Sequence, residues 1–182
     1  MRIRINEEAA EYIPSKERKM KVYKAPENHS DDYNYKVFLA GSIEMGAAEE
    51  WQTVATNAFA DCKNLSILNP RRDDWDSSWK QSIDDPQFNE QVTWELDGLE
   101  ESDAIIIYFD PATKSPISLM ELGLHADTMQ LVVVVCPEGF WRKGNVDIVC
   151  DRNGLPNVNT LDDAVALIKH NYEVSERTFN GR

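Results

Sequence analysis

Apolar positions in this chain fall into short continuous runs, and between the runs the spacing becomes helical. Tyr35 to Ala40 (YKVFLA), Leu65 to Asn69, Ile105 to Phe109 and Gln130 to Pro137 (QLVVVVCP) are each dense in β-branched or aromatic residues. Runs of this length without alternation predict strands buried on both faces, as in a parallel sheet. Helices are predicted at about Ala47–Cys62, at Phe88–Glu101, from the pair Ser115-Pro116 onward, and at Thr160–Tyr172. Ser115 is expected to cap its helix and Pro116 to occupy the first turn. Met20 to Ala25 is a possible edge strand, and Glu138 to Val149 reads as a loop. The alternation predicts an α/β fold: one doubly wound, mostly parallel sheet of about five strands with helices on both faces. Residues 1–34 form an N-terminal extension with that possible edge strand, 35–172 one domain, and 173–182 a polar tail.

Two helices carry a carboxylate where the pattern calls for an apolar side chain. From Pro116 onward, Ile117, Glu121 and Leu124 share one face. In the preceding helix, Val92, Leu96 and Leu99 make the stripe, and Glu95 lies on it. A buried carboxylate is costly unless it is paired or used. Both helices flank the Ile105–Phe109 strand, and ligands of open α/β sheets bind beyond the carboxyl ends of strands. Glu121 and Glu95 are therefore the leading catalytic candidates. His125, one turn after Glu121, reads more readily as a structural histidine than as a partner for it.

Composition narrows the chemistry. The 182 residues carry a net charge of −13 without a compensating basic run, which argues against a nucleic-acid or anionic-membrane surface. Cys62, Cys136 and Cys150 are odd in number and widely spaced, so neither a disulfide framework nor a zinc site is expected, and reduced cytoplasmic thiols are. The N-terminus is charged rather than signal-like, and no apolar run approaches a membrane span. No metal and no cofactor is expected.

Two further stretches have the make-up of a small-molecule site. Gly41-Ser42 follows the first confident strand, where a glycine admits close backbone approach and free amides can hold an oxygen. The stretch lacks GxGxxG and a following Lys-Ser/Thr, so it is not a phosphate loop. Between Pro70 and Pro86 runs a long polar loop with Asp74, Trp75, Asp76 and Trp79. Its functional reading is a lid, with tryptophans covering a planar ring and aspartates accepting its amino hydrogens.

The stretches GSI (Gly41–Ile43), EQVTWELDGLEESDAIIIYF (Glu90–Phe109) and SPISLMELGLHA (Ser115–Ala126) resemble the nucleoside 2-deoxyribosyltransferase superfamily. The branch called nucleoside 2-deoxyribosyltransferase-like is closest, sharing a QxxWExxxL helix and an FWRKGN loop. The resemblance spans about Val37 to Ile148 and implies a flavodoxin-like fold. It also implies cleavage of the N-glycosidic bond of 2′-deoxynucleosides through a covalent deoxyribosyl-glutamate, with transfer of the sugar to another nucleobase. By motif match, Glu121 is the nucleophile and Glu95 the assisting acid, while Ser115 and Ser118 lie on the substrate loop. Asn145 matches a residue donated by a neighbouring subunit, so a homo-oligomer with a shared site is implied. Related monophosphate hydrolases carry arginine and serine where this chain has Glu44 and Asn145, which favours a free nucleoside. Glu95, Asp74 or Asp76 could protonate the departing base. The rivals are a deoxynucleoside or deoxynucleoside monophosphate hydrolase on the same fold, and a non-catalytic nucleoside- or nucleotide-binding module.

Overall fold

The computed structural model describes residues 18–43, 50–72, 75–76 and 78–180. The elements run β1 (Lys21–Lys24), β2 (Tyr35–Gly41), α1 (Trp51–Ala58), β3 (Leu65–Asn69), α2 (Pro86–Glu101) and β4 (Ala104–Tyr108). They continue with α3 (Pro116–His125), β5 (Leu131–Val135), α4 (Lys143–Asn153), β6 (Asn157–Val158) and α5 (Leu161–Asn180). The six strands form one sheet in the order β1-β3-β2-β4-β5-β6. Every pairing is parallel. This is the doubly wound α/β architecture the sequence predicts, with β1 as the possible edge strand expected over Met20–Ala25 and the two-residue β6 added at the other edge.

Each continuous apolar run serves both faces of the sheet. Phe38, Ala40, Leu68, Ile105, Ile107, Val132 and Val134 pack beneath Trp94 of α2, Leu122 of α3 and Val146 of α4. On the opposite face Val37, Leu39, Ile67, Ile106, Val133 and Val135 pack against Trp51, Ala55 and Phe59, and against Ala164, Val165 and Ile168 of α5. The strands are unbroken apolar runs because neither face meets water. Helix α2 comes close to the sheet at Gly98, where a Cβ would lie 2.8 Å from Phe38 Cε2.

The chain's path creates a single crossing point. After β2 it moves outward to β3, then returns across the sheet to β4, so β2 and β4 are neighbours whose connections leave in opposite directions. Ligands of doubly wound sheets bind in the crevice that opens beyond the strands at such a point. The segments after β2 and β4, Gly41-Ser42 and Asp110–Ser118, are the ones bordering it.

Five expectations need correction. The buried face of α3 is Ser118, Glu121, Leu122 and His125, whereas Ile117 and Leu124 are each 56% exposed. The buried face of α2 is Gln91, Trp94, Gly98 and Leu99, with Glu95 half-buried beside it and Leu96 exposed. In α3 the inward face is the more polar one, because near the strand ends it borders a crevice as well as a core. The Glu138–Val149 stretch is not all loop, since its second half enters α4. The polar tail is also helical, and α5 continues to Asn180. Helix α1 ends at Ala58, four residues early, where Phe59 and Ala60 turn back onto Thr56 and Asn57.

Candidate active site

Two interlocked strand ends build the floor. Gly41 pairs with Tyr108 across β2 and β4 with φ of +142°, and a Cβ there would lie 2.8 Å from Tyr108 N and closer still to its carbonyl oxygen. The close approach that requires glycine is thus to the neighbouring strand. Trp51 donates its indole N–H to Ser42 O (2.9 Å) and stacks on Tyr108 with centroids 5.0 Å apart. Strand end, helix and neighbouring strand are locked together at Ser42.

Ser42 then anchors the loop that carries α3. Its Oγ accepts the Asp110 amide N–H (2.8 Å) and lies 2.5 Å from Ser115 Oγ. Thr113 Oγ1 sits 2.9 Å from Ser42 Oγ and 2.7 Å from Ser115 Oγ, and it also reaches Asp110 O at 2.9 Å. All three hydroxyl residues are buried. Ser115 holds a left-handed conformation, φ 45° and ψ 54°, and its side chain makes no capping bond to the helix. Ser115 occupies the expected N-cap position, but its hydroxyl is directed into this cluster instead of onto the helix amides. Pro116 does occupy the first turn, where its missing N–H costs nothing. The cluster fixes the direction in which α3 leaves the sheet.

That direction puts Glu121 inside, where only 7% of it is exposed. Burial, and secondly the negative charge of Glu95, push its carboxyl up to about 8. Glu95 is also raised by burial, opposed by a hydrogen bond from Gln91. Gln91 donates 2.7 Å to Glu95 Oε1 and 2.9 Å to Pro70 O. The two carboxyl groups therefore behave as a coupled pair, in which ionising one disfavours ionising the other. Ser118, one turn before Glu121 and facing the same way, is buried. His125 Nδ1 lies 3.2 Å from Gln130 Oε1, a contact that ties α3 to the segment before β5.

The remaining candidates lie on the periphery. Trp75 is 42% exposed and packs on Trp79 with centroids 5.1 Å apart, while the Arg72 guanidinium lies 5.0 Å over Trp79. Asp76 accepts the Ser78 amide at 2.8 Å, the geometry of an Asx turn. Asp74 and Glu44 lie outside the described residues. Asn145 is exposed on the first turn of α4. Two contributors escape a reading by hydrophobic pattern, Thr113 and Gln91. The available signals were a polar residue one turn before Glu95 and a third hydroxyl beside Ser115.

A family model described as nucleoside 2-deoxyribosyltransferase like matches residues 34–140, which takes in both carboxylates, the hydroxyl cluster and the tryptophan loop. No match is found among curated proteins.

Proposed function

The chain belongs to the nucleoside 2-deoxyribosyltransferase-like family, and from that premise we propose that it cleaves the N-glycosidic bond of 2′-deoxynucleosides and transfers the sugar to another nucleobase. The observation that carries this reading is the coupled pair of buried Glu121 and half-buried Glu95 beside the crossing point of the sheet. Loss of a base from a deoxyribose gives the anomeric carbon oxocarbenium character. One carboxylate stabilises that charge and the other, protonated, assists the leaving base.

In the proposed reaction Glu121 is the nucleophile and Glu95 the general acid. A bond forms from a Glu121 oxygen to the anomeric carbon as the carbon–nitrogen bond breaks. The electron pair of that bond leaves with the base, which takes the Glu95 proton. The deoxyribosyl ester is then attacked by a second base, with proton flow reversed, or by water. Glu121 is the more strongly raised carboxyl of the two, so attack requires that its proton pass to Glu95 when substrate binds. Ser42, Ser115 and Ser118 border the sugar. Trp75, with Asp76 beside it and Trp79 behind, is proposed to close over the base and limit the access of water. Asn145 is assigned to the sugar's 5′ end of a neighbouring subunit in a homo-oligomer. Asn145→Ala is expected to raise KM for the nucleoside about tenfold with a smaller change in kcat. Full activity in a strictly monomeric protein would contradict a shared site.

Incubation with deoxyinosine or thymidine plus a free acceptor base tests the reading directly. A new deoxynucleoside is the expected product. Free deoxyribose alone would make the protein a hydrolase, and tight binding without either product would make it a binding module.

A further inference from the structure

Gln91 is among the most enclosed polar residues of α2, 3% exposed. Its side-chain nitrogen donates twice, to Pro70 O at 2.9 Å and to Glu95 Oε1 at 2.7 Å. Its own oxygen is buried without a hydrogen-bond partner. A planar amide with both hydrogens committed has one orientation here, because a flip would set its oxygen against two other acceptors. Leaving an amide oxygen unpaired in the interior is unfavourable, so the side chain is not placed there for its own satisfaction.

We propose that Gln91 is the positioning residue of the carboxyl pair: braced on the Pro70 carbonyl, it holds Glu95 Oε1 and leaves Oε2 as the oxygen that carries the proton. The proposal rests on the general-acid role given above to Glu95. Pro70 directly follows β3, so the brace ties a helix side chain to the end of the sheet. Gln91 and Glu95 are one turn apart on the same helix face, the spacing at which side chains meet. An oxygen that accepts an N–H is the better seat for negative charge, and the acid proton therefore belongs on its partner oxygen. Fixing that choice fixes the direction in which the proton can be delivered.

The same bond has an electrostatic consequence. A donor to a carboxylate favours its ionised form, so Gln91 works against the burial of Glu95. The charge that interacts with this pair from the facing helix is Glu121 on α3. The arginines after Pro70 have acidic partners on the helices, Arg71 with Glu50 at 3.5 Å and Arg72 with Glu90 at 3.6 Å. Removing the Gln91 donor should therefore raise the midpoint of Glu95 and carry the alkaline limb of the pH–rate profile, where the general acid loses its proton, upward with it.

The test uses the full chain with Gln91→Met, which keeps the length and removes the donor, and Gln91→Asn, which is too short to span both acceptors. Carboxyl ¹³C NMR of Glu95 reads the titration without relying on turnover. Both variants are expected to move its midpoint upward by about one pH unit, with the alkaline limb following. Lower thermal stability with an unmoved Glu95 midpoint in a folded variant would overturn the proposal and reduce Gln91 to packing. Glu121→Ala separates the two levels. If that variant keeps full activity, the catalytic reading itself fails. If it is inactive while Glu95 titrates unchanged in the Gln91 variants, only the role of Gln91 fails.

Discussion

Replacing Glu121 with alanine is expected to lower deoxynucleoside cleavage and transfer by at least about 10³-fold, because the nucleophile and its charge are removed together. The far-UV circular dichroism should be unchanged. Glu121 lies on α3 between positions that pack well without it: Leu122 enters the core and Ser118 is already small. Glu121→Gln is the sharper comparison, since it keeps the volume and removes only the charge. Turnover within tenfold of the parent in either variant would exclude Glu121 as the attacking group.

The sheet and most helices were legible in the sequence because they are dictated by uninterrupted apolar runs. A strand such as Ile105–Ile107 is buried on both faces, and no other arrangement hides such a run. The rotation of the helices was not legible in the same way. Helix α3 has two plausible stripes, Ile117–Leu124 and Ser118–Glu121–Leu122–His125, and hydrophobicity favours the first. The structure turns the second inward, because the left-handed Ser115 and its bonds to Ser42 and Thr113 set the angle at which the helix departs. That angle depends on contacts between residues 71 to 73 positions apart, such as Ser42 with Thr113 and Ser115, which no local pattern encodes. Glu121 was nonetheless singled out, since it lies at the border of both stripes. Gln91 and Thr113 were missed for a simpler reason. A glutamine or threonine on a helix or loop is ordinary, and its burial and partners appear only in three dimensions. The same holds for α4, whose weakly amphipathic KGNVDIVCDRN becomes helical by burying Val146 and Cys150 on the sheet face that carries Val132 and Val134.

The carboxyl pair should also leave its mark on stability, through its proton rather than its chemistry. Glu121 titrates near 4.5 when unshifted and is pushed up to about 8 in the fold. The folded state thus binds this proton more tightly than the unfolded chain does. Its contribution is present in full below about pH 4.5 and is lost as pH rises through about 8. Glu95 shifts in the same direction, so the pair as a whole makes the fold less stable on the alkaline side. Allowing for relaxation around the buried charge, the loss across that window should be roughly 2–4 kcal/mol. The net charge of −13 adds a second alkaline penalty through self-repulsion, so the slope of the parent protein alone would not identify the pair. The difference between parent and Glu121→Gln does, because the surface charge is common to both. Melting temperatures measured from about pH 5 to pH 9 should nearly coincide at the acidic end and separate progressively, with the glutamine variant the more stable at the alkaline end. Parallel curves would mean that Glu121 is not held protonated by the fold. In that case Glu121 would be ionised at neutral pH, and no proton would have to pass from it to Glu95 before attack.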